Sequence, residues 1–328
     1  MVKYILKRLV YIVVVFVILS FLMFLLYKLI PGDVVRQMLE PQRADLTPEQ
    51  YAAEYARLTE YLGLDRPLVV QYWNWFTNLL RGNLGYSVTY MKDVSEVISE
   101  PLSNTLFLNV FSSIIALGIT IPLGIRCAVK QKSLLDNGMQ IFTILGISIP
   151  IYITALVMIY LFAVLIPIFP VSGMKAPGSS ATGFEAFLER MYYFTLPVLV
   201  ATVNSMASTF RYIRAAMINE LSQDYIRTAR AKGVREKVVI YSHAWRNALL
   251  PVITIIISWF TSLLGGWVML ETMFGLNGIG KLMILGLTQK DYQLVLAMQM
   301  IYVVIALMGR LLTDLSYGIV DPRVRVDK

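Results

Sequence analysis

Six stretches of this chain, at 9–30, 105–129, 139–166, 192–216, 248–273 and 294–315, stay apolar for longer than a bilayer is thick. A helix rises about 1.5 Å per residue, so roughly 20 residues cover the ~30 Å hydrocarbon core. Backbone N–H and C=O groups find no water there and must pair within the segment, which makes these stretches helices. Gly118, Pro122, Gly146, Pro150, Gly265 and Gly266 lie inside them. These residues would break soluble helices and are expected to be tolerated here through neighbouring helices. The fold class expected is an all-α polytopic membrane protein with six transmembrane helices.

Composition supports this and removes competitors. Residues of the AVILMFWYC set make up 57%, and only 15% are Asp, Glu, Lys or Arg. Soluble domains carry about 25% charged residues. A disordered chain, a collagen-like fibre and a small disulfide scaffold are all excluded. The single Cys127 cannot form an internal disulfide and says nothing of compartment. The first apolar run follows Lys3, Lys7 and Arg8 as a signal peptide would. At about 22 residues it exceeds the 7–15 of a signal core, and no small-x-small site follows, so it reads as a retained helix.

Lys and Arg on alternate sides set the orientation. One side carries Lys3, Lys7 and Arg8, then Arg126, Lys130 and Lys132, then eight residues from Arg211 to Arg246, then Arg323, Arg325 and Lys328. The short loops opposite carry Lys175 and Arg190, then Lys281 and Lys290. The 31–103 segment has six basic against ten acidic residues. Both termini are therefore expected in the cytoplasm. The net charge of +8 is explained by orientation, and no nucleic-acid partner is expected.

The outer segment, at 73 residues, is too long for a plain connection. Thr47-Pro-Glu-Gln50 predicts a capped helix over 48–61 ending at Gly63. A second helix is expected over 67–81, ending at Gly82 and carrying Tyr72, Trp73, Trp75 and Phe76. It reads equally as a cap that touches a delivery partner and as an interfacial aromatic belt. Inside the cell, 211–246 carries eight basic and three acidic residues. Ser222 is an N-cap candidate for a short helix closed by Gly233. Ala229 and Gly233 are placed one turn apart on one face, flanked by Arg227, Arg230 and Lys232, where another protein's surface can approach the backbone.

At this segment a resemblance enters. Asp224-Tyr-Ile-Arg-Thr-Ala-Arg-Ala-Lys-Gly233 followed by His243-Ala-Trp-Arg-Asn-Ala-Leu-Leu-Pro251 resembles the coupling loop of the membrane-spanning permease subunits of ATP-binding-cassette importers, in the dipeptide/oligopeptide and nickel permease family. Further matches run along the chain. They include Tyr4-Ile-Leu-Lys-Arg-Leu9, Pro31-Gly32-Asp33, Leu62-Gly-Leu-Asp-Arg-Pro-Leu-Val-Val-Gln-Tyr72, Gly82-Asn-Leu-Gly-Tyr-Ser87, Asn104-Thr105 and Ser148-Ile-Pro150. Glu271-Thr-Met-Phe-Gly-Leu-Asn-Gly-Ile-Gly280, Asp291-Tyr292, Asp314-Leu-Ser-Tyr317 and Asp321-Pro-Arg-Val-Arg325 complete the series. The importer consensus Glu-Ala-Ala is replaced by Arg227-Thr228-Ala229, so no contact of that glutamate carries over. Arg246 stands where a later consensus proline would be.

The resemblance implies a type I ABC importer permease (MetI-like) architecture with a partly helical outer insertion after helix 1. The divisions expected are 1–30 (terminus and helix 1), 31–104 (extracytoplasmic), 105–318 (transmembrane core with a coupling loop at 217–247) and 319–328 (cytoplasmic tail). It implies peptide import by alternating access in a bacterial or archaeal cytoplasmic membrane. The partners implied are a second homologous permease forming a heterodimer, two ATPases and an extracytoplasmic substrate-binding protein. ATP and Mg²⁺ would sit on the ATPases, with no cofactor in this chain. Nickel or another small solute is the alternative cargo. An autonomous channel or secondary carrier, or a receptor without transport, are the other classes. The residues assigned to ATPase coupling are Asp224, Tyr225, Arg227, Thr228, Ala229, Arg230 and Gly233.

The residues themselves agree. Gly275-Leu-Asn-Gly-Ile-Gly-Lys-Leu282 has P-loop glycines but ends in Leu282 where Mg²⁺ needs Ser or Thr. His243 is the lone histidine, so no triad or histidine-rich metal site can form. The spans carry few ionisable groups: Lys28 and Glu271 near outer ends, Arg211 and Arg214 near an inner end, and Arg310 spaced to pair with Asp314. A midplane ion relay of the kind secondary carriers use is missing, which argues for an external energy source. Ser148, Asn204, Ser205, Met206, Ser208 and Glu271 are the candidates to line a path, although small polar residues also mediate helix packing.

Overall fold

The computed structural model describes residues 2–30 and 32–320. Its helices are α1 (Val2–Leu29), α2 (Val34–Leu39), α3 (Pro48–Tyr61), α4 (Leu68–Leu80), α5 (Val94–Val129), α6 (Leu134–Ser148), α7 (Ile151–Ile159), α8 (Gly183–Leu221), α9 (Asp224–Ala231), α10 (Glu236–Val238), α11 (Arg246–Ser262), α12 (Val268–Met273), α13 (Ile279–Thr288) and α14 (Tyr292–Val320). A small antiparallel pair, β1 (Tyr86–Ser87) and β2 (Lys92–Asp93), sets Tyr86 opposite Asp93. The chain is an all-α polytopic membrane protein, as expected. The tail motif 321–325 lies outside the described residues.

By length and composition, Ile5–Leu29, Val94–Val129 and Tyr292–Leu315 can each cross a membrane. Two of the runs expected to be continuous are broken. The 139–166 run is a bent pair, Leu134–Ser148 and Ile151–Leu165, turning through 106°. Proline at 150 has no N–H to continue the ladder, and it forces Ile149 into extended backbone, ψ 120°. The 248–273 run stops at Ser262 and resumes as α12 at Val268, with Gly265 and Gly266 between. By contrast, Gly118 and Pro122 are absorbed within α5 and Gly146 within α6. The 192–216 run lies within the longer α8, 39 residues that also include Pro197.

The chain divides into two compact units. One comprises Met1–Pro101 and Leu282–Leu307. In it α4 packs its aromatic face on α1, with Tyr72 against Phe24 and Phe76 against Phe16. A hydrogen bond at 2.8 Å joins the Ser20 and Tyr72 hydroxyls. Packing on α1 thus accounts for Tyr72 and Phe76, while Trp73 stays exposed. Helix α3 begins as expected: Thr47 Oγ1 accepts from Gln50 N and Gln50 Oε1 accepts from Thr47 N, a reciprocal cap. Asp291 is buried before α14 and accepts from Ser87 Oγ, Thr89 N and Leu294 N.

The other unit comprises Leu102–Lys281 and Met308–Lys328. Two apolar centres organise its described residues. Leu108, Ala155, Phe194, Leu196, Val200, Ala201, Leu270 and Phe274 join α5, α7, α8 and α12. Ile125, Ala128, Met217, Ile226, Val239, Ala244 and Ala248 join the ends of α5 and α8 to α9, the π-helical turn Val239–Trp245 and the start of α11.

Candidate functional site

The break after α11 leaves carbonyls without helical partners, which membrane interiors tolerate only when another group reaches them. Asn109, inside α5 and 4% exposed, supplies that group. Its Nδ2 donates to the Leu263 carbonyl at 2.8 Å and the Gly265 carbonyl at 3.0 Å, with a longer contact to Ser262 O at 3.5 Å. Its Oδ1 accepts from the Trp267 indole Nε1 at 2.7 Å. One amide therefore closes both sides of the break.

Beyond the break, Glu271 organises the turn into α13. The side chain is 1% exposed. Oε1 accepts from Thr105 Oγ1 at 2.9 Å and Trp267 N at 3.2 Å, and Oε2 from Lys281 N at 2.9 Å. Thr105 Oγ1 in turn accepts from Ile279 N at 2.9 Å. The glycines make the approach possible. A Cβ on Gly266 would lie 1.9 Å from Gly280 N, and one on Gly278 would lie 2.3 Å from Glu271 Cδ. This explains the Glu271–Gly280 motif as a carboxylate cradle, with the P-loop-like glycines spent on packing.

A cavity of about 200 Å³ lies beside the break, lined by Asn109, Ser112, Ser113, Asn204, Ser205, Ser208, Trp259, Ser262 and Trp267. Three of the six path candidates, Asn204, Ser205 and Ser208, line it. The other three do not. Met206 is buried in packing, Ser148 is exposed at the end of α6, and Glu271 is enclosed in its cradle. The helical period separates them, since 206 lies roughly 200° around the axis from 204, whereas 208 lies about 40° away. The same period marks Asn109, Ser112 and Ser113 as one polar face of α5, a signal the sequence carried. The contributions of Trp259, Ser262 and Trp267 depend on the break, which the sequence concealed.

The 211–246 segment is built around Ile226, fully buried in the second apolar centre. It holds α9 down and turns Asp224, Tyr225, Arg227, Thr228 and Arg230 outward. Ser222 does not cap α9. It ends α8, its hydroxyl donating to Asn219 O at 2.8 Å, and Gln223 occupies the N-cap without a side-chain bond. Ala229 is half-buried against the apolar centre rather than presented beside Gly233. Gly233 does close the helix, in left-handed backbone (φ +73°), and a Cβ there would meet open space. Tyr225 donates to Glu220 and accepts from Asn247 Nδ2 at 2.9 Å. Burial, then the Glu220 bond, holds its hydroxyl above the usual tyrosine value. Arg230 pairs with Glu236 at 2.6 Å.

The sequence also concealed an ion pair close to this segment. Asp136, fully buried near the start of α6, accepts from Arg214 Nε at 2.6 Å and Nη2 at 2.8 Å. Its Oδ2 also accepts from Lys132 N and Gln140 Nε2. The fork geometry of arginine suits such a bidentate pair, and it ties α6 to α8. Among the described residues, no group of three or more His, Cys, Asp or Glu could hold a metal ion.

Comparison with known proteins agrees with this architecture. Residues 120–326 match the family described as binding-protein-dependent transport system inner membrane component, and residues 1–109 match the N-terminal region of such membrane components. The chain is 37% identical over 325 residues to the oligopeptide transport system permease protein AppB of Bacillus subtilis, covering 99% of both. It is 34% identical over 339 residues to the di/tripeptide transport system permease protein DppB of Pseudomonas aeruginosa, covering 99% of both. To the dipeptide transport system permease protein DppB of Escherichia coli it is 33% identical over 345 residues, covering all of both. The chain belongs to the family of inner membrane components of binding-protein-dependent transport systems.

Proposed function

We propose that this chain is the membrane-spanning permease subunit of an ATP-driven importer that moves peptides across the cytoplasmic membrane by alternating access. It carries no ATPase site of its own. ATP is hydrolysed on two separate subunits, and an outer binding protein delivers the peptide. A second, homologous permease supplies the other half of the path. The chain crosses the membrane six times, with the bent pair α6–α7, the long α8 and the broken α11–α12 each counted as one crossing, and both termini lie in the cytoplasm. Peptide cargo rests on the relatives, which are named as oligopeptide, di/tripeptide and dipeptide permeases.

The observation that carries the mechanism is the continuity of α8. It brings Asn204, Ser205 and Ser208 to the cavity and runs on to Leu221, with only Ser222 and Gln223 between it and α9. A docked ATPase that displaces α9 therefore acts on the helix that lines the path. Such a transition is a switch between two packings rather than a gradual bend. The test is Gly233→Trp in the assembled complex. A Cβ there meets open space, and Gly233→Ala is the control for the strain any side chain brings to its left-handed backbone: both subunits are expected to insert, and only the tryptophan to lose ATPase assembly or coupling. Normal uptake would remove α9 from the mechanism. Transport by the purified chain alone would replace an importer with a channel or carrier, and ATPase stimulation by nickel alone would replace the peptide.

A further inference from the structure

We infer that the cavity between α5, α8 and α11 binds the backbone amide groups of a passing peptide, and that side-chain charge has no partner there. This rests on the importer reading above and adds which part of the cargo the site reads.

The lining divides into two sets by hydrogen-bond use. Asn109, Ser112, Ser208, Ser262 and Trp267 are committed: Asn109 and Trp267 to the break, and the hydroxyls of Ser112, Ser208 and Ser262 to the carbonyls of Asn109 at 3.1 Å, Ser205 at 3.3 Å and Trp259 at 2.8 Å. The Asn204 amide, the Ser113 and Ser205 hydroxyls and the Trp259 indole N–H have no partner among the described residues. These uncommitted groups offer both donors and acceptors. A peptide bond presents one N–H and one C=O and is complementary to such a wall. Every peptide shares this feature, whatever its side chains.

Charge is the second half of the argument. None of the nine lining residues is ionisable. Hydrogen bonds to charged groups are roughly twice as strong as neutral ones. A fixed charge in the wall would hold oppositely charged cargo and repel cargo of like sign. A path must bind strongly enough to admit its cargo and weakly enough to release it. Neutral donors and acceptors meet that condition for acidic, basic and apolar peptides alike. Two indoles complete the wall with apolar surface, which accepts any aliphatic side chain.

The experiment uses the complete complex in proteoliposomes, with both permeases, both ATPases and the binding protein. The probes are trialanine, its central-lysine and central-glutamate analogues, and trialanine with N-methylated amides, each saturating the binding protein. With Asn204→Leu and Ser205→Ala combined, uptake of the first three is expected to fall alike, by about tenfold, or about 1.4 kcal/mol. The N-methyl analogue should be carried poorly by the native complex and lose little further in the variant. Loss confined to the lysine or glutamate peptide, an equal loss for the N-methyl analogue, or no loss would overturn the inference. Ser113→Ala with Ser205→Ala, a smaller change, carries the same comparison if the first pair does not accumulate. Ser205→Cys treated with a bulky maleimide separates the two readings, because Cys127 is buried. If modification fails to slow any uptake, the cavity is off the path and the importer reading of this site falls. If it blocks uptake while the substitutions are silent, only amide recognition falls.

Discussion

The indole of Trp267 donates to the same side-chain amide, that of Asn109, whose nitrogen closes the carbonyls on the other side of the helix break. The cavity-facing end of α11 is thus held by a residue of α5 more than 150 positions earlier. Asn109→Leu fills similar volume but leaves two carbonyls and an indole N–H unpaired. A loss of about 3 kcal/mol or more is expected, from about 1–3 kcal/mol for each of the three stranded groups. Trp267→Phe removes one bond and strands one acceptor, and should cost less. Thermal unfolding of the purified subunit in detergent checks the order, and equal losses would contradict it.

Substitution at Gly266 should be among the most damaging single changes in the chain. An alanine Cβ would fall on the backbone of Gly280, which is not the movable end of a side chain. Relief requires α12 and the start of α13 to separate, opening the Glu271 cradle. Overpacking of this kind costs about 1–3 kcal/mol and sometimes more. The amount of Gly266→Ala subunit in membranes is expected to fall sharply, whereas Gly138→Ala, in helical backbone with no atom near its Cβ, should fall far less.

Arg214 and Asp136 should respond unequally. The aspartate side chain is wholly buried and the arginine side chain is 21% exposed. Arg214→Met strands a buried carboxylate, and loss of one partner of a buried pair costs about 3–5 kcal/mol. Asp136→Asn leaves a partly wetted cation beside a neutral amide, which should cost less. Thermal shifts of the two variants decide it, and a larger loss for Asp136→Asn would contradict the assignment.

Glu189 supplies a pH dependence outside the membrane. Its carboxylate accepts from Ser179 Oγ and Ala176 N, both at 2.7 Å. These bonds, the Ser179 bond first, hold it below the ordinary glutamate value. A depressed carboxylate contributes order above its unfolded value, about 4.3, and loses it as pH falls through the lower folded value. Protection of the Ala176 amide against hydrogen exchange should therefore be full at neutral pH and vanish only in acid. Glu189→Gln should flatten that profile, and an unchanged profile would exclude the carboxylate.

What the sequence made legible was local. The Thr47 cap, the end of α9 at Gly233 and the existence of apolar spans depend on residues within a turn or two of each other. The two broken helices were not legible. Pro122 and Pro150 both sit in apolar runs, and only the packing around them decides that one is absorbed and the other bends the chain. Asn109 reads as one more small polar residue until the carbonyls it reaches are known. Asp136 and Arg214 are separated by 78 positions, and nothing near either names the other. Among the candidates on α8, the helical face separates Asn204, Ser205 and Ser208 from Met206, whereas Ser148 and Glu271 sit on other elements.

Helix α8 also sets a mechanical advantage. From Ser205 to Leu221 it runs about 24 Å, at about 1.5 Å per residue, with its only proline, Pro197, on the far side of the cavity. The stretch between the cavity and α9 therefore behaves as a stiff arm. A rotation of about 10° around the cavity level displaces its inner end by roughly 4 Å, close to one helical turn of 5.4 Å. Small angular play at the serines corresponds to a large stroke at α9. On the proposed function, an ATPase stroke of several ångströms at α9 would be geared down to a fine adjustment of Asn204, Ser205 and Ser208 at the cavity.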